Sequence, residues 1–115
     1  MPKEFSRMDR VSEQCRRVLA ELIQRHIDDP RVGFITVSDV QVTKDLSRAR
    51  VFVSCLEGEE RANDSVLVLN QNAAMLRHEL AREVRMRTIP VLKFVYDESI
   101  AYGSHLNQLL QEIKD

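Results

Sequence analysis

Between residues 35 and 55 the chain alternates apolar and polar side chains, and that alternation limits the folds open to it. Ile35 and Val37 fall on one parity and Val40 and Val42 on the other, while Ala49, Val51, Val53 and Cys55 alternate cleanly. Period two puts successive side chains on opposite faces of a strand, so the stretch predicts a hairpin with one face that must be covered. A parity slip inside a strand would leave half its apolar residues in water. A β-bulge near Ser38 and Asp39 is the simplest repair. Residues 44–47 (KDLS) are the polar turn, and Arg48, Arg50, Phe52 and Ser54 take the outer face of the second strand.

The flanking segments switch to helical spacing. Residues 6–27 carry Met8, Val11, Cys15, Val18, Leu19 and Leu22 within about 100° of one another at 3.6 residues per turn. The opposite side holds Arg7, Arg10, Gln14, Arg17 and Arg25, interrupted by Glu21. Asp28-Asp29-Pro30 ends this helix, since the residue before proline avoids the helical region.

After the hairpin, residues 57–63 (EGEERAN) predict an acidic loop, with Asn63, Asp64 or Ser65 capping the next helix. Its apolar stripe is Val66, Leu69, Ala73, Leu76, Leu80 and Val84, and Ile89-Pro90 is the expected stop. Val91–Tyr96 then predicts a third strand, with Leu92, Phe94 and Tyr96 on one parity. A last helix is expected after Asp97 or Ser99, with Ile100, Leu106, Leu109, Leu110 and Ile113 apolar and Gly103 in its first turns. The order is α-β-β-α-β-α: an α+β domain spanning residues 1–115, with a three-stranded sheet covered by helices on one face. An open second face would account for Arg48, Arg50 and Lys93 on strands.

At 115 residues, 43% of them apolar, the chain can bury one core without disulfides or a metal. Cys15 and Cys55 lie on apolar faces and read as buried thiols, and His26, His78 and His105 have no metal-ligand spacing. No metal and no cofactor are expected. No apolar run approaches the ~20 residues of a membrane span, and the charged N-terminus lacks a signal region. The expectation is a cytosolic protein. Nucleophile-elbow, P-loop and dinucleotide-binding motifs are all missing, so an enzyme is not expected.

What remains is charge geometry. Residues 77–93 hold five basic side chains (Arg77, Arg82, Arg85, Arg87, Lys93) and two acids (Glu79, Glu83), a local balance of +3 in a chain whose net charge is −1. If the helix runs through this stretch, Arg77, Arg82 and Arg85 share an arc of about 140° beside Ala81. Neither Glu79–Glu83 nor Arg82–Met86, both at i,i+4, is an ion pair. Guanidinium forks beside small residues suit a phosphate backbone. With aromatics at only 5%, stacking of splayed bases is disfavoured and contacts to folded RNA fit better. The bland reading is a solvated helix face; the competing functional one is a small module whose arginines dock on an acidic protein surface.

Five stretches together resemble bacterial ribosome-binding factor A. They are KEFSRxDRV (residues 3–11), DPRVGFITVSDV (29–40), KDLSRARVFV (44–53), LRHEL (76–80) and RxRxxPxLxFxYDxSI (85–100), followed by Gly103. The resemblance implies a K-homology-like fold of the second type. It also implies a non-enzymatic, monomeric factor that binds the immature small ribosomal subunit, assists processing and folding of its precursor rRNA, and matters in the cold. The RNA-binding residues it suggests are Lys3, Arg7 and Arg10, with Arg17 on the same stripe, then Arg77, Arg82, Arg85 and Arg87. The G-x-x-G loop of ordinary K-homology domains is missing. Where the family interrupts its helix with an Ala-x-Gly step, this sequence has Asn72-Ala73-Ala74, which leaves a straighter helix open. The sequence ends at Asp115 without the charged tail of many members, so no tail contact is expected.

Overall fold

The computed structural model describes residues 7–98. Its elements are α1 (Arg7–His26), β1 (Ile35–Val42), β2 (Arg48–Cys55), α2 (Glu59–Gln71), α3 (Ala73–Glu83) and β3 (Val91–Tyr96). The expected last helix lies outside the described residues, as do Lys3 and His105.

The strands form one sheet in the order β1-β2-β3, with β1 antiparallel and β3 parallel to β2. The bulge sits where the parity change predicts it. Val37 pairs with Val53 and Asp39 with Phe52, leaving Ser38 as the extra residue. Val37 and Val40 therefore both point inward and are 3% and 2% exposed. The extra residue is held in place, because the Ser38 hydroxyl donates to Asp97 Oδ2 at 2.6 Å.

The three described helices pack on the face carrying Val37, Val40, Ala49, Val51, Val53, Leu92 and Phe94. Helix α1 contributes Cys15, Leu19, Leu22 and Ile23, and α3 contributes Leu76 and Leu80. The opposite face has no helix on it among the described residues. Cys55, expected inside, is only half-buried at the strand end, where its thiol donates to Glu57 Oε2 at 2.8 Å.

The second helical stretch departs from its expected limits in three ways. It begins at Glu59, with Gly58 as N-cap at φ 105°, so none of Asn63, Asp64 and Ser65 is the cap. Glycine adopts that left-handed backbone without a Cβ clash, and Glu59 and Glu60 complement the helix dipole. Ser65 is instead fully buried, its hydroxyl donating to Arg61 O at 2.8 Å and accepting from Gly33 N at 2.9 Å.

The stretch is also broken at Asn72, and no glycine is needed. Asn72 sits at φ −105°, ψ 9°, in the bridge region that any L-residue can enter. Its Nδ2 donates to Val68 O at 2.8 Å, while its backbone N–H reaches both Val68 O and Leu69 O at 3.1 Å. The side chain thus adds a second hydrogen bond to the Val68 carbonyl, which already accepts from the Asn72 N–H.

Finally, α3 stops at Glu83 rather than near Pro90. Val84 is already extended (φ −118°, ψ 147°) yet remains 5% exposed, so it serves the core from outside the helix. Arg77 holds the following loop, donating from Nε and Nη2 to Ile89 O at 3.1 and 2.8 Å. Arg85 and Arg87 are therefore loop residues, and the shared helical arc expected for Arg85 does not form.

Candidate nucleic-acid interface

Packing brings one end of every strand together with the N-terminal half of α1. Val91 N–H donates to Ser47 O at 2.9 Å, which joins the start of β3 to the hairpin turn. A groove of about 650 Å³ has Met8, Asp9, Arg10 and Arg17 on one wall and residues 39–42 on the other. Cys15 Sγ lies 3.9 Å from Met86 Sδ, setting loop 84–90 against the middle of α1. Within α1, Arg7, Arg10 and Arg17 share an exposed arc of about 80° at 100° per residue. This end of the domain thus gathers Arg7, Arg10, Arg17, Arg85 and Arg87, with Arg48 and Lys93 on the adjoining sheet face.

Acids gather at the opposite end. Leu56 N–H donates to Phe34 O at 3.1 Å, and Phe34 N–H donates to both Glu57 carboxylate oxygens at 3.0 and 2.9 Å. These bonds pin loop 27–34 to the start of α2. Burial pushes the Tyr96 hydroxyl above the usual phenol range, and the charges of Glu59, Asp97 and Glu98 push it further. The cations at this end are spoken for: Arg31 pairs with Asp29 at 2.9 Å, and Arg61 donates to Pro30 O at 2.5 Å. A net charge of −1 thus conceals a molecule with a basic and an acidic end.

The second-helix arginines have separate jobs. Arg77 is engaged with Ile89 O. Arg82 lies 3.7 Å from Glu79 at i,i+3, a spacing other than the i,i+4 one weighed from sequence, though the Arg82 side chain stays 71% exposed. Glu79 also faces His26 Nε2 at 3.8 Å, and Glu83 meets Arg25 at 3.3 Å. Both acids of α3 are thereby turned toward α1. Such exposed pairs contribute about 0–1 kcal/mol each, and their effect here is mainly to orient charge. Among the described residues, Arg85 and Arg87 take part in no ion pair.

A hollow of about 580 Å³ between α3 and the loop is lined by Ala74, Arg77, His78, Ala81, Arg87, Thr88 and Ile89. Two alanines and two arginines, all exposed, line it together, and small residues beside guanidinium groups let a phosphate approach closely. Ala74, at the position of the family's glycine, is therefore part of this hollow rather than the helix break. No group of metal-binding side chains occurs among the described residues.

Comparison with known proteins decides the family. Residues 7–110 match the profile of the family described as Ribosome-binding factor A. The chain belongs to the ribosome-binding factor A family.

Ribosome-binding factor A of Aromatoleum aromaticum is 48% identical over 113 residues, covering 98% of this chain and 89% of that protein. The crystal structure of ribosome-binding factor A from Thermus thermophilus superposes with a TM-score of 0.69 at 36% identity, over 77% of this chain and 93% of that one. A Thermus thermophilus ribosome-binding factor A homology model, fitted into the cryo-electron microscopy map of a 30S complex, gives a TM-score of 0.63 at 38% identity. It covers 76% of this chain and 91% of that one. The fold is accordingly the K-homology-like one, in the order α-β-β-α-α-β. No described helix is long and apolar enough to cross a membrane.

Arg48, Arg50 and Lys93 are brought together only in the fold, although the sequence already places them on an open face. The signal was their shared outward parity, which gains meaning only once β3 is known to lie beside β2.

Proposed function

We propose that this chain is a cytosolic small-subunit assembly factor that binds immature 30S particles through its basic end. The observation that carries the proposal is the segregation of charge. Arg7, Arg10, Arg17, Arg85 and Arg87 are exposed at the end opposite the Glu57–Glu60 region, Arg77 lines the hollow, and Arg82 is exposed on α3. Lys3, on the same N-terminal segment, is part of the proposed surface by sequence alone. Family membership and the Thermus 30S complex support the partner.

The work proposed is binding without bond chemistry. The factor favours one arrangement of precursor 16S rRNA over another, by no more than its difference in affinity for the two. Assistance to rRNA processing, and a greater need for it in the cold where misfolded RNA persists, follow from that role. The partner being rRNA rather than an acidic protein surface is favoured by the hollow, where Arg77 and Arg87 lie beside Ala74 and Ala81 and leave room for a phosphate.

Co-sedimentation with immature small subunits tests the proposal. The unmodified chain is expected to co-sediment, less so as salt rises. Arg82→Glu/Arg85→Glu/Arg87→Glu is expected to remain folded and to lose binding. Undiminished binding of that variant would remove these residues from the site, and no binding by the unmodified chain would defeat the function.

A further inference from the structure

We propose that the open face of the sheet is a second RNA-contacting surface, where Arg48, Arg50 and Lys93 hold the phosphate backbone of an rRNA segment other than the one met by the helices. This rests on the small-subunit reading above and extends it to a side of the domain that carries no helix. Arg50 and Lys93 are register partners on neighbouring parallel strands. Neighbouring strands lie about 4.8 Å apart, so two like charges stand side by side on one face, an arrangement that destabilises a sheet. Arg48 adds a third positive charge two residues along the same face, roughly 7 Å away. Among the described residues none of the three takes part in an ion pair.

The three cations line one shallow depression of about 690 Å³ together with Gln41, Thr43 and Val91. Gln41 is the register partner of Arg50 and adds an amide beside it. A flat patch with clustered positive charge, hydrogen-bonding neighbours and no acid on its lining suits a polyanion running across the strands. Guanidinium forks and a lysine point charge are the usual phosphate contacts. The patch meets the basic end at the Ser47–Val91 junction, so it continues the proposed RNA surface around the edge of the domain. Because helices and open face are opposite layers, one bound molecule would touch two RNA segments and fix their relative placement.

The test compares three proteins for binding to immature small subunits and to protein-free precursor rRNA over a range of salt. They are the unmodified chain, Arg48→Gln/Arg50→Gln/Lys93→Gln, and the helix-side triple variant above. The sheet variant is expected to fold normally and to bind both probes about 10- to 100-fold more weakly. The slope of log affinity against log salt should be smaller by roughly 2, as for three lost phosphate contacts. An unchanged affinity and slope would overturn the proposal while leaving the functional reading intact. So would a loss confined to subunits, which would put a protein on the sheet. Failure of the unmodified chain to bind subunits would defeat the functional reading, and this extension with it.

Discussion

Gly33 shows how far a single position can be constrained by its neighbours. A Cβ built there would lie 2.5 Å from Glu57 Oε2, 2.7 Å from Arg61 Cγ and 2.8 Å from Cys55 Sγ. These atoms converge from three residues, of which Glu57 and Arg61 also tie loop 27–34 to the start of α2. Gly33→Ala is expected to cost about 1–3 kcal/mol in urea denaturation, as overpacking does elsewhere. Asp45 is constrained by charge instead. Its Oδ1 accepts from Thr43 Oγ1 at 2.8 Å, Ser47 Oγ at 2.7 Å and Ser47 N at 3.1 Å, closing a turn in which Leu46 has φ 62°. Those bonds, the Ser47 and Thr43 hydroxyls first, lower its carboxyl to about 2. A depressed carboxylate stabilises the fold fully above its unfolded value near 4, and that contribution fades as pH falls toward 2. Acid unfolding followed by circular dichroism should therefore lose part of its dependence between about pH 4 and 2 in Asp45→Ala.

At the scale of elements, asparagines do work that backbone usually does. Asn70 Nδ2 donates to Phe94 O at 3.0 Å and Phe94 N–H donates to Asn70 Oδ1 at 2.8 Å, so one amide covers both backbone polar groups that Phe94 presents on the outer edge of β3. Asn70→Ala should cost about 1–3 kcal/mol in thermal or urea unfolding, since it leaves two backbone groups without their partner. Asn72 ends α2 in the same spirit. Since Ala74 lies inside α3, restoring the family's glycine by Ala74→Gly should lower stability by up to about 1 kcal/mol rather than ease the break. The paired Arg50 and Lys93 predict the opposite sign. Lys93→Gln removes a like-charge neighbour and should raise stability by about 0.2–1 kcal/mol, measured by thermal unfolding at low salt, while weakening RNA binding.

For the molecule as a whole, the strands were legible because burial on one face leaves a period-two trace, and even the bulge followed from Val37 and Val40 changing parity. Helix ends were less legible. Gly58 caps by backbone conformation and not by a side-chain oxygen, and Val84 stays in the apolar pattern after the helix has ended. The basic residues could be picked out by composition, but not their grouping. Arg7 and Arg87 are eighty residues apart in sequence and share one end of the domain only because loop 84–90 packs on α1. The engagement of Arg77 with Ile89 O, likewise, depends on where α3 stops. Charge segregation is therefore a property of the folded chain, and it is the central claim to test.

Directed cleavage tests it most simply. Single cysteines introduced by Thr88→Cys at the basic end and by Glu60→Cys at the acidic end, each in a Cys55→Ser background, would carry an iron chelate that cuts nearby RNA. Bound to immature small subunits, the probe at position 88 is expected to cut the rRNA strongly at a few sites, and the probe at position 60 weakly or not at all. Strong cutting from position 60 with none from position 88 would contradict the account.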